Sequence, residues 1–304
     1  MNRRQILQTA ALGAVGAAAQ SATSQGVTSL TASAERKSFV TAQDGTKLYV
    51  QDWGTGRPVV LLAAWALHSV IWGEHIADLT TRGLRCVALD RRGHGRSEAP
   101  SGGYDADTLA DDVAALFEER DLRDAVLVGY SMGSIEAVRY LTRHGTRRVA
   151  KLVLAAPTTP FLTRTADNPD AVPAAAIAAQ NDAIAKDFAK WIAENEPPFV
   201  MPDTVPETRA WIKAMMLSAS LPALLACRRT IAATDTRAEL ARLDLPTLVL
   251  QGNKDASAPL PLTGVKTAKL ITGSRLLVYE GAPHGLVFTH RERFLGDVSA
   301  FIAA

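Results

Sequence analysis

The chain has 304 residues, 47% hydrophobic and 21% charged, with a formal net charge of +2 from 33 Lys and Arg against 31 Asp and Glu. This length and composition allow a large buried core and exclude general disorder. The near balance of charge gives no electrostatic basis for binding nucleic acid or an anionic membrane surface. The basic residues are scattered apart from pairs such as Arg91-Arg92, Arg147-Arg148 and Arg228-Arg229, each read as solvated surface. Two cysteines, Cys86 and Cys227, provide neither a disulfide framework nor a metal-ligand spacing.

The N-terminus, "MNRRQILQTAALGAVGAAAQ", joins Arg3-Arg4 to an apolar Ala/Leu/Val stretch and then to small residues. That stretch is too short and too alanine-rich to span a bilayer, and its layout is that of a secretory signal. "NRRQIL" resembles the twin-arginine export signature, with Ile6 at the position of the large apolar residue. Residues 1–34 are therefore expected to be an export leader, cleaved after Ala19 or Ala34, of a periplasmic or secreted protein.

"KSFVTAQDGTKLYVQDWG" holds two extended runs about Asp44-Gly45, a hairpin signal. "RPVVLLAAW" is a continuous apolar run of the kind buried on both faces of a parallel sheet. Val70, Ile71, Ile76 and Leu79 form a helical stripe that Gly83 ends, and "LRCVALD" is the next strand. A loop rich in Gly and Arg, "RRGHGRSEAPSGG", precedes a helix with apolar Leu109, Val113, Leu116 and Phe117. "AVLVGYS" is a strand, "MGSIEAVRYLTRHG" a helix and "VAKLVLAAP" a strand. This alternation over about residues 57–157 predicts right-handed βαβ crossovers and a mostly parallel sheet with helices on both faces. It resumes at "LPTLVLQG", "LPLTGVKTAKLITG", "SRLLVYEG" and "RERFLGDVSAFIAA". Between the two halves, residues 158–236 carry several prolines, among them Pro160, Pro173 and Pro206, alanine-rich helical pieces, and Phe188, Trp191, Phe199, Met201, Trp211, Met215, Met216 and Leu217. The expected organisation is a core of residues 35–157 and 237–304 with a helical cap, 158–236, inserted in it.

Ser131 lies in "GYSMG", after a buried strand and before a helix. The pattern G-x-S-x-G at such a junction marks a tight turn that exposes the hydroxyl, with Gly129 and Gly133 removing side chains that would collide. The helix N-terminus favours negative charge there. Of the six histidines, His75 and His144 fall on helices and read as surface residues, and His290 near the last helix reads as solvent-facing. His284 follows a strand, at the end of a parallel sheet where ligands bind, and is the candidate general base. Asp255, in the loop after the preceding strand, is the candidate orienting carboxylate, which makes the chain order nucleophile, acid, histidine.

With "GYSMG" at 129–133, "DRRGHGRS" at 90–97, "QGNKD" at 251–255 and "GAPHG" at 281–285, residues 37–303 resemble the α/β-hydrolase superfamily. The likeness is greatest to its bacterial branch of serine arylesterases, lactonases and cofactor-free haloperoxidases. The resemblance implies an α/β-hydrolase fold with an inserted cap, a structural role for Asp90 to Ser97, and a non-catalytic His94. It also implies an oxyanion hole made by the backbone N–H groups of Trp65 and Met132. These relatives carry His-Gly where Ala63-Ala64 stand here, and glycine adopts backbone conformations that alanine resists. His68 is expected either in the pocket or on the loop surface, and Tyr130 is a candidate substrate contact.

A serine nucleophile excludes the dehalogenase and epoxide-hydrolase chemistries that use aspartate on this fold. The expected function is hydrolysis of a carboxylic ester or lactone of a small to medium apolar acyl compound through an acyl-enzyme, with no metal and no organic cofactor. The same triad leaves perhydrolysis or C–C bond hydrolysis open. A non-catalytic ligand-binding protein on this fold is the alternative of another class; Ala63-Ala64 favour it and the complete Ser131, Asp255 and His284 set opposes it. The substrate and the oligomeric state are not legible in the sequence.

Overall fold

The protein is described by a computed structural model covering residues 36–304, so the export leader expected over residues 1–34 lies outside the described residues. The hairpin about Asp44-Gly45 is present as β1 (Phe39–Thr41) and β2 (Lys47–Trp53), paired antiparallel. Gly45 supplies the positive φ of +89° that the turn needs, and the Asp44 carboxylate accepts from Thr46 N–H at 3.0 Å. The other strands are β3 (Pro58–Leu62), β4 (Arg85–Leu89), β5 (Ala125–Tyr130), β6 (Val149–Ala155), β7 (Thr247–Gly252) and β8 (Arg275–Tyr279). They form one sheet in the order β1-β2-β4-β3-β5-β6-β7-β8, antiparallel at β1–β2 and β2–β4 and parallel from β4 to β8.

Helices cover both faces. The core helices of the first half are α1 (Gly73–Thr81), α2 (Ala106–Glu119) and α3 (Met132–His144). Between β6 and β7 lie α4 (Ala174–Lys186), α5 (Phe188–Asn195), α6 (Pro206–Ser218), α7 (Leu221–Ala233) and α8 (Arg237–Leu240). The chain continues with α9 (Gly264–Leu270), α10 (Leu286–Thr289) and α11 (Arg291–Ala303). Strand β3 shows why its residues are apolar without a break. Val59 and Leu61 pack in one core with Trp72 and Phe294, while Val60 and Leu62 pack in the other with Phe117 and Leu141. Both faces of the period-2 pleat are covered, each buried Val or Leu contributing about 1.5–3 kcal/mol. Helix α2 buries Leu109, Val113, Leu116 and Phe117, and Asp105 caps it by accepting from Thr108 N–H at 3.0 Å.

Three sequence expectations are corrected here. The stripe from Val70 to Leu79 is not one helix but a 3₁₀ turn, Ser69–Trp72, followed by α1. His75 is not at the surface. It is 2% exposed, its Nε2 lies 3.1 Å from the Val287 carbonyl, and Trp72 and Phe294 pack edge-on against its ring. A histidine on the apolar stripe of a helix is buried by the next layer, here α11, which sequence spacing within α1 cannot reveal. Nor is Arg91-Arg92 solvated. Arg92 holds Asp112 of α2 through Nε and Nη2 at 2.7 and 2.6 Å and Asp44 at 2.8 Å, joining the hairpin turn to the helix layer. By contrast, His144 is exposed as expected, its Nε2 2.6 Å from Asp111.

Burial pushes the His75 pKa down from 6.5 to about 4. Between those values the unfolded chain binds a proton that the native state refuses, so the stability His75 contributes is complete above pH 6.5 and is lost as pH falls toward 4. The slope is about 1.4 kcal/mol per pH unit. Denaturant unfolding at several pH values between these limits is expected to show a shallower acid-side loss for His75→Phe than for the wild type. Parallel curves would contradict a neutral buried His75.

Candidate active site

The first turn of α3 explains the two glycines of "GYSMG". A Cβ at Gly129 would sit 2.5 Å from the Gly133 carbonyl oxygen, and one at Gly133 would sit 2.7 Å from the Leu62 carbonyl oxygen. Strand β5, helix α3 and strand β3 approach closer here than any side chain allows. Ser131 stands between them at φ +54°, ψ −116°, a conformation that costs a non-glycine residue about 1–3 kcal/mol. It is held by its ends. Ser131 N–H donates to Ala155 of β6 at 2.9 Å, and its carbonyl accepts from Ser134 N–H, the Ser134 hydroxyl and the Thr158 hydroxyl at 2.9, 2.5 and 3.1 Å. Neither Ser134 nor Thr158 stood out in the sequence, since small hydroxyl residues at a helix start have many ordinary uses.

The loops after β7 and β8 bring in the other two residues. They brace each other through Asn253 N–H to Tyr279 O and Lys254 N–H to Ala282 O, at 3.1 and 3.0 Å. The Asp255 carboxylate accepts from Ser257 and Ala258 N–H at 3.0 and 2.7 Å, which fixes its rotamer. His284 Nδ1 lies 2.7 Å from Asp255 Oδ2 and its Nε2 lies 2.8 Å from Ser131 Oγ. An ionised carboxylate only accepts, so Nδ1 donates, and in the neutral ring Nε2 is then the acceptor for the serine hydroxyl. All three side chains are at most 5% exposed.

After β3 the chain makes a turn closed by Leu67 N–H donating to the Ala64 carbonyl at 3.2 Å. The positive φ in this turn belongs to Ala66, at +61°, and not to Ala63 or Ala64. Ala63 and Ala64 therefore sit in backbone conformations alanine adopts. Trp65 is the second residue of the turn, whose N–H the turn bond does not use, and Met132 is the first residue of α3, where helical N–H groups have no intrahelical acceptor. Arg91 donates to the Ala63 carbonyl at 2.7 Å and the Ala64 carbonyl at 3.3 Å, and its Nε donates to Glu136 of α3. Both side chains of the pair are 4% exposed. Burial raises the Glu136 carboxyl even against the pull of Arg91, whose guanidinium the pair keeps charged. One buried cation thus ties the Trp65 turn to α3, the helix that follows Ser131. The signal for it was a carboxylate, Glu136, set inside an otherwise apolar helix face.

The remaining candidates are not at the reacting groups. Tyr130 is fully buried and absent from the cavity wall; its hydroxyl donates to the His284 carbonyl at 3.0 Å, so it supports the histidine loop and is no substrate contact. Tyr130 is the last residue of β5 and packs in the core, whereas Ser131, the next residue, begins the turn that faces the cavity. His68 is neither in the cavity nor on the surface. Its side chain is 13% exposed, with Nδ1 3.8 Å from Asp90 Oδ1, and burial lowers its pKa. His94 is buried with Nδ1 3.0 Å from the Arg92 carbonyl, and Asp90 accepts from Ser69 and Arg96 N–H at 2.6 and 2.8 Å, so this loop builds structure. His290 is half-buried.

Ser131 and His284 open onto a cavity of about 260 Å³. That is just below the range of roughly 300–1,000 Å³ common for small-molecule sites. Of the expected cap side chains, Trp191, Phe199 and Met216 line it, together with Ala64, Trp65, Leu162, Ile192 and Ile231. Trp211 and Leu217 are exposed instead, at 40% and 48%. The cap grips the site at two points: the Trp65 indole N–H donates to the Leu224 carbonyl of α7 at 2.9 Å, and Gly285 N–H donates to the Phe199 carbonyl at 2.8 Å.

Removing one member of a buried ion pair leaves an uncompensated charge, at a cost of about 3–5 kcal/mol. Arg91→Met is expected to lower unfolding free energy by that order, and adding Glu136→Leu is expected to recover a substantial part of it. Equal destabilisation of the single and double variants would show that the bonds to the Ala63 and Ala64 carbonyls, not the stranded Glu136, account for the loss.

Residues 59–297 match the Alpha/beta hydrolase family. The chain is 37% identical over 273 residues to a non-heme chloroperoxidase of Streptomyces lividans, covering 86% of this chain and 98% of that protein. It is 32% identical over 277 residues to a bifunctional esterase/perhydrolase of Acinetobacter calcoaceticus, covering 87% and 99%. Among solved structures, an esterase from Exiguobacterium antarcticum superposes with a TM-score of 0.85 at 29% identity, over 88% of this chain and all of the other. The sheet order, the serine turn and the family match agree: the protein belongs to the α/β-hydrolase family, in the branch that holds non-heme haloperoxidases and esterases.

Proposed function

We propose that the protein is a serine carboxylic-ester hydrolase that cleaves a small ester or lactone through an acyl-enzyme. The observation that carries this reading is the continuous hydrogen-bonded line from Asp255 through both nitrogens of His284 to Ser131. Ser131 Oγ attacks the carbonyl carbon as its proton passes to His284 Nε2. The imidazolium so formed lies against the Asp255 carboxylate, which stabilises it. The oxygen that gains charge is assigned to the N–H groups of Trp65 and Met132, the second aided by the N-terminal end of the α3 dipole. His284 then gives its proton to the leaving alkoxide. Water, deprotonated by the same nitrogen, attacks the acyl-enzyme, releases the acid and restores Ser131. In a lactone the leaving alkoxide stays attached to the acyl group.

The apolar walls from Trp191, Phe199, Met216 and Ile231 favour a short apolar acyl chain. The small cavity disfavours long ones. A second reading keeps the same intermediate. Hydrogen peroxide in place of water would attack the acyl carbon and release a peracid, and the likeness to an esterase/perhydrolase and to chloroperoxidases favours testing it. The twin-arginine-type leader adds the proposal that the reaction takes place outside the cytoplasm.

Purified protein is expected to hydrolyse p-nitrophenyl esters with a preference for short acyl chains, and Ser131→Ala is expected to lower kcat by at least about 10³-fold. Activity unchanged in Ser131→Ala would reject the serine mechanism. Peracid formation from acetate or an ester with hydrogen peroxide, assayed alongside, decides the choice of acceptor.

A further inference from the structure

The cavity wall holds a cation with no counter-ion among the described residues. Arg228, on α7, lines the same cavity as Ser131 and His284 and is half-buried, so the solvated reading of the Arg228-Arg229 pair holds only for the exposed Arg229. Its protein partners are neutral: Nε donates to Asn181 Oδ1 at 2.7 Å and Nη2 to Gln180 Oε1 at 2.9 Å, both from α4. Nη1 has no hydrogen-bond partner among the described residues. The guanidinium carbon lies 5.3 Å from the Trp65 ring centre and 5.9 Å from that of Trp191, so two indoles confine it.

Most of the other shielded arginines sit directly against a carboxylate; Arg120, which reaches Asp52 only at 4.0 Å, donates instead to the Lys37 and Phe39 carbonyls. Arg85, Arg91, Arg92, Arg139 and Arg209 each have a carboxylate within 3.0 Å. The one carboxylate on the cavity wall, Glu196, is already held by Arg209 at 3.0 Å and does not neutralise Arg228. Burial lowers the Arg228 pKa to about 10, which still leaves it charged at neutral pH. A desolvated charge held only by amides is unfavourable unless something else answers it. Its two amide bonds fix the guanidinium plane and leave Nη1 with the second Nη2 hydrogen as an end-on fork, the geometry that matches the two oxygens of a carboxylate.

We propose that Arg228 binds a carboxylate carried by the substrate, so that the site selects small esters or lactones with an anionic group at the end remote from the scissile carbonyl. This rests on the hydrolase reading above and narrows its substrate class: an apolar middle against the Trp191 and Phe199 walls, and a charged terminus at α7.

The test compares methyl monoesters of succinate, glutarate and adipate with the same esters bearing a terminal amide in place of the free carboxylate. Wild-type protein is expected to favour the anionic member of at least one pair by about 10-fold or more in kcat/KM. Arg228→Gln is expected to erase that preference through KM, and Arg228→Lys to keep part of it. No preference in the wild type, or an equal fall for both members in Arg228→Gln, overturns the proposal and leaves Arg228 as packing for Trp65. Wild-type hydrolysis of a neutral p-nitrophenyl ester separates this failure from failure of the hydrolase reading. If no ester is turned over, calorimetric titration with glutarate and adipate still decides: binding that Arg228→Gln abolishes supports the anion site, and no binding to the wild type refutes it.

Discussion

The backbone of Ser131 is the constraint on which the rest depends. At φ +54° the residue is strained, and nothing in its own side chain repays that strain. The repayment comes from around it: β6 takes its N–H, Ser134 and Thr158 donate to its carbonyl, and the two flanking glycines let β3 and α3 close in. The turn is possible only where a parallel strand, its crossover helix and a neighbouring strand meet, so the site is at the carboxyl edge of the sheet for a mechanical reason.

Two buried arginines do related work at different levels. Arg92 joins the β1–β2 turn to α2 and stabilises the fold. Arg91 joins the Ala63 and Ala64 carbonyls to α3, so the turn that offers Trp65 N–H and the helix that offers Met132 N–H are referenced to one side chain. This gives a physical account of how the turn accommodates Ala63 and Ala64. The turn is fixed by donors to its carbonyls, and the one left-handed residue falls later, at Ala66. Arg228 is the third case and the exception, a guanidinium with amides where the others have carboxylates.

Much of the fold was legible because parallel strands buried on both faces read as continuous apolar runs, and the hairpin announced itself through Asp44-Gly45. The trio Ser131, Asp255 and His284 was legible from order and from each member's place after its own strand. What misled was burial of polar residues. His75, Arg91 and Arg92 read as surface because charge and polarity are surface signals on average, and a buried partner such as Asp112, Glu136 or the Val287 carbonyl is distant in sequence. Tyr130 misled for a local reason: next to Ser131 in sequence, it packs in the core and bonds the His284 carbonyl.

The sequence by itself determined the class of fold, the strand-and-helix alternation and the identity and order of the three residues now linked by hydrogen bonds, because periodicity and turn chemistry are short-range properties. Only the tertiary structure decided which side chains between β6 and β7 face the cavity, that Arg91 reaches the Trp65 turn, and that Arg228 stands there without a carboxylate among the described residues. Those facts depend on contacts between elements tens of residues apart, as in the bonds from α7 to α4 and from the Asp90 to Ser97 loop to α3. Pairing across such distances is set by how layers pack, and no spacing within one element encodes it.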